Sequence, residues 1–234
     1  MKIRNIAMPK GKYAIKCPYT MVPECIVVHN TANDASAANE IKYMQSNNNQ
    51  VSFHYAVDDK EVVQGVPLDR NAWHAGDGSE GKGNRKGIAV EICYSRSGGT
   101  RFTAAEQNAA QFVATLLKSY GWGINRVTKH QDYSGKYCPH RTLDLGWSRF
   151  LKMVEANMKA LNVASATAFK KGDKVKVINT TVKNGRVAGI TYTGGTFVCW
   201  HDTYTILSIK GDRAVIGVKG IITAPVNTKN LRLA

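Results

Sequence analysis

Through the first 160 residues, runs with strand-like patterning alternate with runs of helical periodicity, and beyond residue 169 the helical pattern does not return. This alternation constrains the fold most. Strands interleaved with helices put helices against a sheet, whereas short strands punctuated by Gly and Asn make a small all-β unit. Cys25 to His29 is a compact apolar run suited to a buried strand, and Ala37, Ala38, Ile41 and Met44 follow at helical spacing, with Asp34 or Ser36 placed as N-cap. Phe53 to Val57 and Glu61 to Gln64 flank Asp58-Asp59-Lys60 as a hairpin, and Ile88 to Tyr94 is a strand that carries Glu91 among apolar neighbours. The clearest helix is Thr103 to Tyr120: Thr103-Ala-Ala-Glu106 has capping-box spacing, Ala109, Phe112, Val113, Leu116 and Leu117 form the stripe, and Gly121 can close it. A last helix is expected from Trp147 to Leu161. The fold class that follows is α/β, a mixed central sheet flanked by helices over residues 1–161, a linker at 162–168, and a small all-β barrel over 169–234.

In the second part, strands are expected at Lys174 to Asn179, Gly185 to Tyr192, Thr196 to Trp200, Tyr204 to Lys210, Arg213 to Val218 and near Leu231, with hairpin turns at Asn184-Gly185 and Gly211-Asp212. Charge separates the two parts as texture does. The chain has 32 Lys and Arg against 17 Asp and Glu, a formal charge of +15; residues 1–160 hold 21 against 14, and residues 161–234 hold 11 against 3. Such a field implies an anionic partner: nucleic acid, anionic lipid or an acidic wall polymer. No apolar run reaches the length of about 18 residues that a membrane span needs. The opening MKIRNIAMPKGKYAIK lacks the apolar core of a secretory signal, so the protein is expected to remain at first in the cytosol that makes it. The five cysteines are odd in number and scattered, unlike a disulfide framework, and most are expected to be small buried hydrophobes.

Single histidines carry little information, since a lone one is more often a satisfied or surface residue. Their placement is more telling. His29 closes the buried strand and precedes Asn30-Thr31; His130 opens a segment in which Cys138 follows eight residues on and Lys136 lies two before that thiol. Two imidazoles and a thiolate suit a catalytic zinc site with an open fourth position, although sequence alone does not bring the three together.

His29-Asn30-Thr31, Ser52-Phe53-His54-Tyr55, Ala72-Trp73-His74-Ala75-Gly76, Val90-Glu91-Ile92 and Lys136-Tyr137-Cys138-Pro139, in this order, resemble the zinc-dependent N-acetylmuramoyl-L-alanine amidases of the phage lysozyme and peptidoglycan-recognition-protein superfamily, and among them the endolysins of phages and prophages of Bacillus and its relatives. The resemblance covers about residues 1–160. It implies Zn2+ held by His29, His130 and Cys138, Glu91 as general base, and Lys136 as the cation that stabilises an oxyanion. It also implies a groove in which His74, Trp73 and His54 meet substrate, with packing beside the ligands an equal alternative for His54. Without it, Glu91 reads as a charge on an exposed strand face and Lys136 as one more solvated cation. The relatives with a catalytic tyrosine before the second histidine differ here, where Phe53 precedes His54; neighbouring Tyr55 should face the other side of the strand. The Gly76–Gly83 stretch lacks the features of a phosphate-binding loop and reads as a mobile substrate-side loop.

Residues 169–234 resemble, less specifically, the SH3-like wall-binding modules appended to endolysins. Tyr192, Phe197, Trp200 and Tyr204 are either its core or a stacking groove. The implied partners are bacterial peptidoglycan and anionic wall polymers, with the enzyme waiting in the host cytoplasm until lysis. The alternatives are a recognition protein that binds peptidoglycan without cutting it, against which Cys138 argues, and a nucleic-acid-binding protein, for which nothing beyond charge speaks.

Overall fold

Six strands before residue 158 join in one sheet: β1 (Ile3–Asn5), β2 (Cys25–Asn30), β3 (Tyr55–Val57), β4 (Val62–Gln64), β5 (Gly87–Ile92) and β6 (Val127–Lys129), in the spatial order β1-β4-β3-β5-β2-β6. Every pairing is parallel except the β3–β4 hairpin. β2 lies between two parallel neighbours and all six of its residues are buried, which is why its sequence is a continuous apolar run rather than an alternating one. The helices are α1 (Tyr13–Lys16), α2 (Ala37–Ser46), α3 (Lys82–Lys86), α4 (Gly99–Tyr120), α5 (Gln131–Ser134), α6 (His140–Asp144) and α7 (Trp147–Thr167). The computed structural model describes residues 3–167, 169–183 and 186–234, and the chain divides into two compact units, Met1–Met158 and Lys159–Ala234.

Local chemistry explains the element boundaries. Ser36 caps α2 by accepting the Asn39 N–H at 3.4 Å, and the Asp58 carboxylate shapes the β3–β4 turn by accepting the N–H groups of Lys60 and Glu61, each at 2.8 Å. α4 ends as expected at Gly121 in the left-handed region, φ 67°. Its start differs. The helix begins at Gly99, with Gly98 at φ 72° preceding it, so Thr103 lies one turn inside and donates its hydroxyl to the Gly99 carbonyl at 3.0 Å. The capping box is therefore not formed, and Glu106 is instead buried in an ion pair with Arg149 of α7 at 2.5 Å. α7 runs on through Thr167, across most of the expected linker, because Asn162 to Thr167 contains neither Gly nor Pro to stop it.

In the second unit all pairings are antiparallel. β8 (Thr180–Lys183), β9 (Arg186–Ile190) and β10 (Thr196–Val198) form one sheet; β7 (Lys174–Val177), β11 (Tyr204–Lys210), β12 (Arg213–Val218), β13 (Ile221–Asn227) and β14 (Leu231–Leu233) form another, ordered β13-β12-β11-β7-β14. The two-residue turn at Gly211-Asp212 is present between paired Lys210 and Arg213. The expected turn at Asn184-Gly185 lies outside the described residues. The strand expected from Lys174 to Asn179 ends at Val177, and β8 and β13 were not anticipated. β13 was hidden because its turn is Lys219-Gly220, both at positive φ (49° and 82°), a conformation that lysine rarely adopts, and because Ile221 and Ile222 are exposed together instead of alternating. Val175, Tyr204, Ile206, Ile216 and Val226 make the core.

Glu106 makes no other side-chain hydrogen bond and its Oε1 has no partner among the described residues. Arg149→Ala should therefore leave an uncompensated buried carboxylate and destabilise the first unit by about 2 kcal/mol or more, read as a lower calorimetric midpoint. Adding Glu106→Gln to that variant should recover most of the loss.

Candidate active site

In a parallel sheet, loops leaving the carboxyl ends of neighbouring strands open a crevice in which ligands bind. Here His29 lies at the carboxyl end of β2, Glu91 near that of β5 and His130 directly after β6. His29 and Glu91 are register partners, so their side chains leave the same face of the sheet. Tyr55 is paired with Val90, one position off, and thus faces away; its ring packs on Phe112 of α4 at 4.7 Å. Cys138 reaches the same point from the segment after α5, held by a hydrogen bond from the Gln131 N–H to its carbonyl at 3.0 Å.

The Nδ1 atoms of His29 and His130 are 3.1 Å apart, the Cys138 sulfur is 3.8 Å from His29 Nδ1, and all three ligand atoms lie within 4.8 Å of one another. Tetrahedral zinc with ordinary bond lengths separates two nitrogens by about 3.3 Å and a nitrogen from a sulfur by about 3.6 Å, so these residues can hold a metal ion with small adjustments. All three are buried. Burial, followed by His74 and His130 beside it, holds the His29 imidazole well below its usual range, and burial with Lys136 lowers His130. Neutral imidazoles are the form that ligates. Burial, then the charge of Glu91, pushes the Cys138 thiol up to about 11, an opposition that a cation at the cluster would reverse. Burial, then Glu40, likewise raises the Glu91 carboxyl to about 8 while Lys136 opposes them, and Glu91 Oε2 has no partner among the described residues.

Beside the cluster lies a groove of about 510 Å³ lined by Trp73, His74, Gly76, Asn84, His130 and Lys136, among others. His74 forms part of its wall, yet its nitrogens face protein: Nδ1 is 3.0 Å from His29 Nε2, and the ring also lies by the backbone of Gly87 and Gly83, where Nε2 closes no hydrogen bond. With Nδ1 of His29 facing the cluster, its Nε2–H donates to His74. His74 thus orients His29, one of the three residues that could hold a metal ion, and offers the groove little more than ring carbon. Trp73 lines the groove edge-on to Tyr19, with its indole N–H unpartnered among the described residues. His54 is a correction: it is fully buried, its Nδ1 accepts the Ala89 N–H at 2.9 Å and its Nε2–H donates to the Arg70 carbonyl at 3.0 Å, so no atom is left for substrate.

Two positioning residues escaped the sequence reading. Asn84 accepts the N–H groups of His74 and Ala75 on one oxygen, both at 2.8 Å, and donates to the Gly78 carbonyl at 3.0 Å. Asp77 accepts the N–H groups of Gly83 and Asn84 at 2.6 and 3.1 Å. The loop expected to be mobile is therefore pinned at both ends. Asn30, next to His29, accepts the N–H groups of Arg141 and Thr142 and so ties β2 to the start of α6 beyond Cys138.

Residues 19–141 match the N-acetylmuramoyl-L-alanine amidase family. The chain belongs to that family. The amidase is 55% identical over 184 residues to N-acetylmuramoyl-L-alanine amidase CwlA of Bacillus subtilis, a match covering 78% of this chain and 68% of that protein. It is 55% identical over 186 residues to N-acetylmuramoyl-L-alanine amidase XlyB of the same organism, covering 75% and 59%. Its fold superposes on the structure of PlyL with a TM-score of 0.64 at 55% identity, over 66% of this chain and 97% of that one. The amidase is by this kinship a peptidoglycan hydrolase of the endolysin type.

Two outcomes follow. Burial lowers His54 from 6.5 to about 4. A depressed folded-state pKa gives stability that is complete above pH 6.5 and drains away as pH falls through 4, here by about 3 kcal/mol. Urea unfolding at pH 7 and pH 4 should show this loss, and His54→Gln should flatten it. Asn84→Ala should leave metal content unchanged while raising KM for wall fragments about tenfold, since the groove wall loses its anchor.

Proposed function

We propose that the chain hydrolyses the lactyl amide joining N-acetylmuramic acid to L-alanine, with Zn2+ held by His29, His130 and Cys138. The convergence of these three residues beside Glu91, at the open ends of adjacent parallel strands, supports the reading most directly. Bound zinc supplies a Lewis acid and acidifies water. Glu91 takes a proton from the attacking water and returns it to the leaving amine; its buried, unpartnered Oε2 and raised pKa suit a carboxyl that must both accept and donate near neutrality. Lys136 faces the charge that develops on the carbonyl oxygen. His74 holds His29 with its nitrogen toward the cluster, and Trp73 walls the groove along which the muramyl peptide lies. No tyrosine shares in the proton transfer.

The second unit we read as an SH3-like wall-binding domain, residues 169–234 after a junction at 162–168, which holds the amidase on its polymer and raises the local substrate concentration. Of the four aromatics singled out in the sequence, Tyr204 is core and Phe197 packs against that core, whereas Tyr192 and Trp200 are exposed and open to a ligand. Before lysis the enzyme waits in the host cytoplasm, and it acts at the wall. Among the described residues no helix is long and apolar enough to cross a membrane.

Mass analysis of purified peptidoglycan after digestion tests the reaction: new free N-terminal L-alanine is expected, and new reducing sugars would mean a glycosidase instead. Cys138→Ala should lose both zinc and activity, whereas Glu91→Ala should keep zinc and lose turnover by roughly 10² to 10⁴. Full turnover in either variant removes that residue from the mechanism.

A further inference from the structure

A feature that the amidase reaction leaves unused is a cavity of about 470 Å³ in the second unit, with Lys176, Arg232 and His201 on its walls, apolar Ile178 and Val187 among them, and Asp202 as the acid among its lining residues. Lys176 and Arg232 are register partners on antiparallel β7 and β14. Like charges directly opposite on paired strands repel, and neither residue forms an ion pair among the described residues. The arrangement therefore costs the unit stability and leaves two cations facing one space. Next to this cavity, Trp200, between lining residues Cys199 and His201, is 64% exposed with the Arg186 guanidinium 4.5 Å over its ring, an apolar plate with a third cation on it.

We propose that this cavity binds phosphate groups of a phosphodiester-linked wall polymer, an inference that rests on reading the second unit as wall-binding. Two cations one strand apart suit an anion whose several oxygens they can share, with the guanidinium taking two of them. A single peptide carboxylate needs only one cation. The repeat of charge along a polyanion also suits residues 161–234, with 11 Lys and Arg against 3 acids, over whose cations outside the cavity further phosphates pass.

The test uses the full chain on purified Gram-positive walls, before and after acid extraction of their phosphodiester polymers, with retention followed as salt rises. Lys176→Gln/Arg232→Gln should bind untreated walls about tenfold more weakly with a shallower salt dependence, and should match the unaltered protein on extracted walls. A control of equal charge, Lys170→Gln/Lys171→Gln, should weaken binding by no more than about twofold. Release of L-alanine ends from extracted walls should be unchanged. Independently of any variant's folding, a glycerol phosphate oligomer should displace the unaltered protein from untreated walls. Equal losses on extracted walls would assign the cavity to glycan or peptide. An equal loss in the control would reduce the effect to diffuse charge, and failure of the oligomer to compete, or tighter binding to an oligonucleotide, overturns the proposal. If the unaltered protein binds neither kind of wall, the wall-binding reading falls with it; if it binds both equally, only the phosphate site falls.

Discussion

Parallel pairing of β2 with β5 on one side and β6 on the other brings three carboxyl ends to one edge of the sheet, and the chemistry of the first unit depends on that pairing. His29, Glu91 and His130 are 101 residues apart at their extremes, yet each needs only to occupy the end of its strand to meet the others. The surrounding hydrogen bonds then refine the meeting. His74 fixes which nitrogen of His29 points inward, Asn30 binds β2 to the segment beyond Cys138, and Asn84 with Asp77 sets the wall opposite. Burial supplies the rest by keeping the imidazoles neutral and the Glu91 carboxyl within reach of a proton.

Much of the site could be read from the sequence because its residues sit at element ends, where strand patterning stops and polar residues begin. His29 and His130 stood out in this way, and the spacing from His130 to Cys138 added a third donor. Glu91 was visible as a carboxylate in an otherwise apolar strand, but only the resemblance to the amidases gave it a role, since pattern alone reads it as an exposed charge. His54 misled for the opposite reason: a histidine in a strand looks available, and nothing local shows that the Ala89 amide and the Arg70 carbonyl, far along the chain, occupy both its nitrogens. Asn84 was missed because its role is to accept backbone amides ten and nine residues earlier, a role that leaves no periodic trace.

The elements themselves followed a similar rule. Long amphipathic stretches gave their positions away, but their ends were set by contacts. Thr103 and Glu106 had the spacing of a cap, and the helix extended past them because Glu106 had a partner in Arg149 of α7. In the β unit, alternation revealed the strands that cover the core, whereas β13, with two neighbouring exposed isoleucines and a lysine in its turn, carried no such signal.

The opposed parity of Val90 and Glu91 has a consequence for how such a chain can vary. Substitutions within β5 alter packing one position at a time, but a single inserted or deleted residue between Gly87 and Glu91 turns the carboxylate toward α4 and puts a neighbouring residue in its place beside His29, His130 and Cys138. Changes of length are tolerable only where backbone can bow out, as in the turns between elements. Along β5 the identity of the apolar residues between Gly87 and Glu91 is negotiable, and their count is not.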